Sequence, residues 1–287
     1  MQTWLAQIPA LASFPATQTY IQTLFLTHIE STLYFVRKNL RQAIDHVALG
    51  KVAAVCHLFQ QLLWSSTGLV VPMPDTDEGR EKLMCNVFFF SLIWGVGGNL
   101  VENDLSKFDT HVRNLFNEVR EVRCPGMGLV FDYMLDLSTQ PPTLKNWDEC
   151  VPKFEYKQEI PFFDILVPTV STVKFSFLLE TLALGGHAVL FTGTTGVGKS
   201  VIAKNSVYNM VKSNVAPVIL NFSAQSSAVR TQEIIESKLE KKRKNILGAP
   251  NNKKIVLFVD DLNMPKLDTY GAQVWNVRGT RVLEPGY

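Results

Sequence analysis

Residues 193–200 read Gly193-Thr194-Thr195-Gly196-Val197-Gly198-Lys199-Ser200, the spacing G-x-x-x-x-G-K-[ST]. The chemistry open to such a stretch is the holding of a nucleotide phosphate. Glycines let the backbone turn so that successive N–H groups point inward at phosphate oxygens. A helix opening at the lysine adds the positive end of its dipole. Lys199 then reaches the β- and γ-phosphates, and the Ser200 hydroxyl can ligate Mg²⁺. Asp260 follows 61 residues after Lys199, at the end of Ile255-Val256-Leu257-Phe258-Val259-Asp260-Asp261. An apolar strand ending in an acid places a carboxylate for the magnesium, directly or through water. Asp261 stands where ATPases with such a strand usually carry a glutamate that polarises the attacking water. Aspartate is one methylene shorter, and in-line geometry is unforgiving, which leaves Asp261 either a working polariser or a slow one.

These groups need a sheet and helices to bring them together. Residues 187–192, HAVLFT, read as a short apolar strand, and a helix is expected from Lys199 to about Val211. Residues 217–222, PVILNF, are a second strand, residues 226–244 a third helix of this region, and residues 255–260 another buried strand. Strands of this kind joined by helices imply a parallel sheet covered on both faces. Upstream, Thr169 can cap a helix running to Leu184, with Val173, Phe177 and Leu178 inward, ended by Gly185-Gly186.

The first half reads differently. Over residues 20–47, Ile21, Leu24, Phe25, Ile29, Leu33, Val36, Leu40 and Ile44 recur at helical spacing. Further helices are expected at residues 51–64, 81–95 and 103–119, which can pack as a small bundle. Residues 129–168 carry Pro141-Pro142, Pro152, Pro161 and Pro168 among short aromatic segments. That texture reads as extended structure and hairpins, with Trp147 and Phe154 sealing a core.

With 28 Lys+Arg against 26 Asp+Glu, the net charge of +2 gives no general reason to expect nucleic acid or an acidic surface as partner. The run Lys241-Lys242-Arg243-Lys244 reads as the solvated end of a helix, where cations complement the dipole. Four scattered cysteines show no zinc spacing and are too few for a disulfide scaffold, which fits a reducing compartment. The N-terminal residues lack a basic stretch and a long apolar core, so no secretory signal is expected. Residues 83–98, LMCNVFFFSLIWGVGG, fall short of the roughly 20 apolar residues a membrane span needs and read as a buried helix.

Four stretches, TVSTVKFSFLLETL, VLFTGTTGVGKSV, LNFSAQSSA and LFVDDLNMPKLDTYGAQ, resemble the third AAA+ module of dynein heavy chains of the axonemal type. The upstream ESTLYFVRKNL, FFFSLIWGVGGNL, VFDYMLD and ILVPTVSTV resemble the region between the second and third modules. The resemblance covers residues 1–273, and DDLNMP and YGAQ are its most specific parts. It implies an α/β fold: an incomplete P-loop AAA+ parallel sheet preceded by an all-helical subdomain. Residues 1–128 resemble the lid of a preceding module, residues 129–168 a linker, and residues 169–273 the N-terminal part of a P-loop ATPase domain. Residues 274–287 form an atypical tail. By the same resemblance Val167, Pro168 and Thr169 border the adenine of ATP, and Gly193, Thr194, Thr195, Gly196, Val197, Gly198, Lys199, Ser200 and Val201 line its phosphates. Ser200 and Asp260 hold Mg²⁺, and Lys199 and Asp261 serve catalysis. Asp261 looks like the family's own axonemal variant of the AAA+ glutamate.

The partners so implied are the other dynein modules, intermediate and light chains, and microtubules, in the cytoplasm, cytoskeleton and ciliary axoneme, with no nucleic acid and no membrane. After Gln273 the family pattern of a proline and a helix gives way to VWNVRGTRVLEPGY. A truncated or alternatively spliced product accounts for this. The strand that should insert beside the phosphate-loop strand would then be missing, and its backbone groups would be costly if buried and open to pairing if exposed. Weak nucleotide binding and little turnover by this chain alone are therefore expected. Two alternatives stand beside the motor fragment: a non-catalytic nucleotide-binding or assembly subunit, and an unrelated P-loop ATPase or kinase, which would need a complete catalytic core within the chain.

Overall fold

The computed structural model describes Trp4, Ile8, Leu11 and residues 13–65, 68–154, 156, 166–244 and 246–267. Packing divides the chain into two units, Met1–Gly193 and Thr194–Tyr287.

The first unit is built on helices. Pro15 opens α1 (Pro15–Asn39) at a position where its missing N–H costs nothing. Ile21, Leu24, Phe25, His28, Ile29, Thr32 and Val36 form its buried stripe, while Arg37 and Lys38 complement the dipole at its end. Helix α2 is Ala48–Leu63. Helix α3 (Asp77–Gly97) starts at Thr76, whose hydroxyl oxygen accepts the Gly79 N–H at 3.1 Å. Every residue from Leu83 to Ile93 is buried, so α3 has no solvent face in this stretch and forms the centre of the bundle. It is the apolar run singled out in the sequence. Among the described residues, no helix is long and apolar enough to cross a membrane.

Helix α4 (Leu105–Phe116) closes the bundle through its aromatic face. Phe25 meets Phe88 at 4.8 Å between ring centroids, Phe89 meets Phe116 edge-on at 4.9 Å, and His28 stacks on Phe116 at 4.6 Å. The approach is tight enough that a Cβ on Gly97 would lie 2.6 Å from the Phe108 ring. The hairpin of β1 (Tyr133–Asp136) and β2 (Thr143–Asn146) packs into the same core. Trp147 is fully buried there and meets Phe177 of α5 (Val170–Leu184) at 5.6 Å. Phe154, expected to seal the core beside Trp147, is exposed instead.

In the second unit α6 (Lys199–Asn209) follows the glycine-rich loop. Strand β3 (Val215–Asn221) pairs in parallel with β6 (Lys254–Asp260), in register from Val215 opposite Lys254 to Asn221 opposite Asp260. The Phe222 N–H donates to the Asp260 carbonyl at 3.1 Å and extends the ladder by a rung. Val218, Leu220 and Phe222 form a buried cluster with Ile234, Ile235, Ile255 and Leu257 packed against it, and Ile202, Ala203 and Val207 are the buried side of α6.

Two segments depart from the sequence-based expectation. Residues 187–192 form no strand, because an apolar stretch becomes one only through ladder pairing and none pairs with it among the described residues. The helix expected over residues 226–244 stops early: α7 is Ala228–Glu236. Tight turns, in which Lys238 and Leu239 donate to the Ile235 and Glu236 carbonyls, end it. The chain then forms an antiparallel hairpin of β4 (Glu240–Arg243) and β5 (Ile246–Gly248). Lys241, Lys242 and Arg243 thus lie on an exposed strand and not at a helix end.

Candidate functional site

Gly196 and Gly198 sit at φ +83° and +85°, in the left-handed region that side chains avoid. A Cβ at either would meet no atom within 4 Å, so the backbone conformation, not crowding, requires glycine. Gly198 is the residue immediately before α6 and offers no side-chain cap. The first N–H groups of α6 therefore have no capping side chain on that residue, and the dipole end faces the loop. The Lys199 ammonium donates to the Thr194 carbonyl, which folds the lysine back across the loop. Thr194, Thr195, Gly196 and Val197 are exposed on the same loop, and Val201 is exposed in the first turn of α6.

Strand β6 delivers Asp260 to this loop. The Ser200 hydroxyl donates to Asp260 Oδ1 at 2.6 Å, across 60 residues of sequence. Lys204 Nζ lies 3.1 Å from Asp260 Oδ2. Burial of Asp260 raises its pKa, but hydrogen bonds from Ser200 and Lys204, the Lys204 charge and the Asp261 backbone N–H outweigh it. The carboxyl is held below its ordinary range and stays ionised at neutral pH. Lys204 was not among the residues singled out by sequence. Its signal was the four-residue step from Ser200, which sets both on one face of α6.

Asp261 has φ +53° and its side chain is exposed. Its carbonyl accepts the Met264 N–H at 3.0 Å, closing a turn directly after the strand. Aspartate tolerates this backbone region better than glutamate, which gives a local reason for the residue found there.

Gly193 closes the first unit at φ +145°. Val167, Pro168 and Thr169 also belong to that unit and directly precede α5. Thr169 is the N-cap: the Thr172 N–H donates to its Oγ1 at 3.3 Å, and its own N–H donates to Thr172 Oγ1 at 2.7 Å.

The donor set fits a magnesium nucleotide. The glycine turn and the α6 N-terminus suit phosphate oxygens. A hydroxyl and one carboxylate, meeting at 2.6 Å, are the hard oxygen donors that Mg²⁺ takes beside phosphate and water. Among the described residues, no group of three or more His, Cys, Asp or Glu could hold a metal by itself. Ser200 and Asp260 are thus the protein's contribution, and the remaining ligands would come from phosphate and water.

Residues 154–276 match the family model described as the P-loop containing dynein motor region, and residues 21–149 match the dynein heavy chain AAA lid domain. The chain belongs to the dynein heavy chain family. It is 45% identical over 274 residues to dynein axonemal heavy chain 6 of Homo sapiens. It is 30% identical over 273 residues to the dynein beta chain, flagellar outer arm, of Chlamydomonas reinhardtii, and 36% identical over 286 residues to dynein axonemal heavy chain 12 of Rattus norvegicus. These alignments cover 95%, 94% and 94% of the chain, but only 6%, 6% and 9% of the relatives. The chain is therefore a small part of the length of the axonemal heavy chains it matches. A helical part followed by a P-loop parallel sheet is the fold of this dynein region, and its AAA+ P-loop character implies nucleotide binding.

Proposed function

We propose that the second unit binds ATP with Mg²⁺, and that in a full-length axonemal dynein heavy chain it serves as the third AAA+ module of a microtubule motor. The observation that carries the reading is the meeting of Ser200 with Asp260 at 2.6 Å beside a left-handed glycine turn. In this reading Gly193 to Val201 cradle the phosphates, and Lys199 exchanges the Thr194 carbonyl for the β- and γ-phosphates. Ser200 and Asp260 take the metal. Bound Mg²⁺ would draw charge from the phosphate oxygens. Asp261 is the residue to orient water for hydrolysis, but its short side chain on a solvent-facing turn positions water poorly. The chain by itself thus binds nucleotide with little turnover.

Residues 1–128 act as the lid of the preceding module, residues 129–168 as its connection, and residues 169–273 as the ATP-binding part. Other dynein modules, intermediate and light chains and microtubules are the partners of the longer protein, and the axoneme of cilia or flagella is its place.

Equilibrium ATP binding and phosphate release, run side by side on the chain and on Ser200→Ala, test this reading. Retained binding with little release, and loss of the Mg²⁺ dependence in Ser200→Ala, is the expected result. Robust turnover that disappears in Lys199→Ala would overturn the non-catalytic part. Binding by neither protein would overturn the whole.

A further inference from the structure

Helix α6 places Ser200 and Lys204 four residues apart, one turn above the other on the same face. Strand β6 places Phe258 and Asp260 two residues apart, on the same face of the sheet. The four side chains meet. Ser200 takes one carboxylate oxygen of Asp260 at 2.6 Å, and the Lys204 ammonium takes the other at 3.1 Å. The same ammonium lies 5.9 Å from the centroid of the Phe258 ring. The Asp260 side chain is 18% exposed and that of Lys204 35%, so the pair is only partly screened by water.

We propose that Lys204 is a positioning residue for the metal, a resident counter-ion that occupies the Asp260 carboxylate until Mg²⁺ arrives. This rests on the reading of Ser200 and Asp260 as the metal-holding pair. Without metal, Lys204 neutralises a partly buried carboxylate whose other partner, the Ser200 hydroxyl, carries no charge. With metal, the two cations compete for one carboxylate, because Mg²⁺ gives up its water reluctantly and draws on the full negative charge of its ligand. The Phe258 face offers the released ammonium a second favourable place close by. Lys204 therefore steadies the empty site and raises the Mg²⁺ concentration at which the site fills. A residue that only supported the fold would do the first and not the second.

The test compares the wild-type chain with Lys204→Met, Lys204→Gln and Lys204→Arg. Two quantities are read: the melting temperature in EDTA, and the Mg²⁺ concentration giving half of the metal-dependent gain in ATP affinity. In Lys204→Met and Lys204→Gln the metal-free melting temperature should fall. The half-saturating Mg²⁺ should also fall, by about fivefold, the upper size of a partly exposed ion pair. Lys204→Arg should resemble wild type in both. An unchanged or raised half-saturating Mg²⁺ in a folded neutral variant overturns the inference, because both quantities then report support alone. If neither neutral variant folds in EDTA, recovery of folding on adding Mg²⁺ and ATP supports it, and no recovery overturns it. Absence of metal-dependent ATP binding by the wild type instead overturns the functional reading, and this inference with it.

Discussion

In the helical unit, α3 is buried on every side from Leu83 to Ile93, and its Phe88 and Phe89 rings meet Phe25 and Phe116 of the neighbouring helices. In the P-loop unit, Val218, Leu220 and Phe222 form a small buried cluster and Ile202, Ala203, Val207, Met210 and Val215 are buried as well, while Val197, Val201, Tyr208, Val229, Leu247 and Met264 stand exposed. The first unit is held by apolar burial. The second has less of it, and its best-organised polar contacts converge on Asp260, at the site itself. The contrast sets a deep aromatic interior in one unit beside a smaller interior and a polar cluster at the site in the other, where a bound ligand can add most.

The largest expected effect breaks that contrast at its core. Phe88→Ala should cost about 3–5 kcal/mol, because the ring is fully enclosed and its neighbours cannot collapse into the gap. Leu220→Ala should cost about 2 kcal/mol, the low end for such truncations, because its surroundings are half open. Urea titrations of both variants decide it, and equal losses would remove the distinction.

The next effect sharpens it from the other side. Mg·ATP at roughly 100 times its dissociation constant should stabilise the unit that binds it by about 2.7 kcal/mol. Hydrogen exchange should then slow in residues 199–221 and 254–260 and stay unchanged in residues 77–116. Slowing spread evenly over both sets would argue against a separate, ligand-held unit.

A smaller change tests the helical unit at its entry. Thr76→Ala removes the acceptor for the Gly79 N–H and should cost about 1 kcal/mol, read as a lower thermal midpoint.

The subtlest effect lies in pH. Burial holds His28, His57, His111 and His187 below the ordinary histidine value, with the His57 charge adding to the effect on His187. The unfolded chain takes up protons near pH 6.5, where these folded imidazoles stay neutral. These histidines therefore draw stability from the helical unit as pH falls below about 6.5. The P-loop unit has no histidine, since all five precede residue 194. Asp260, with its value lowered, contributes stability above about pH 4 that is lost on further acidification through its folded value. Denaturation followed at pH 7.5 and 5.5 should show the helical unit weakening first. Equal weakening of the two units in that window would contradict the assignment.

Much of this arrangement was legible in the residues. The stripe from Ile21 to Val36 and the unbroken apolar run of α3 announce helices by period and by length. The phosphate loop and the strand ending in Asp260 announce themselves by spacing. What escaped depended on partners. Residues 187–192 have a strand's composition, but a strand exists only with a neighbour. The stretch from Glu240 to Arg243 consists of good helix formers on a solvated surface, where no apolar period records the turn into a hairpin. Lys204 carried a helix-face spacing to Ser200, but its meaning required knowing that β6 delivers Asp260 to that same face. Asp261 read as a shortened glutamate, and only its φ of +53° supplies a backbone reason for aspartate.

The most direct measurement is a calorimetric titration of the purified chain with Mg·ATP, with Lys199→Ala beside it. The account predicts saturable binding that weakens roughly 10- to 100-fold in the variant, the size of a lost hydrogen bond to a charged group. Equal binding by both proteins, or none by the folded wild type, would contradict it.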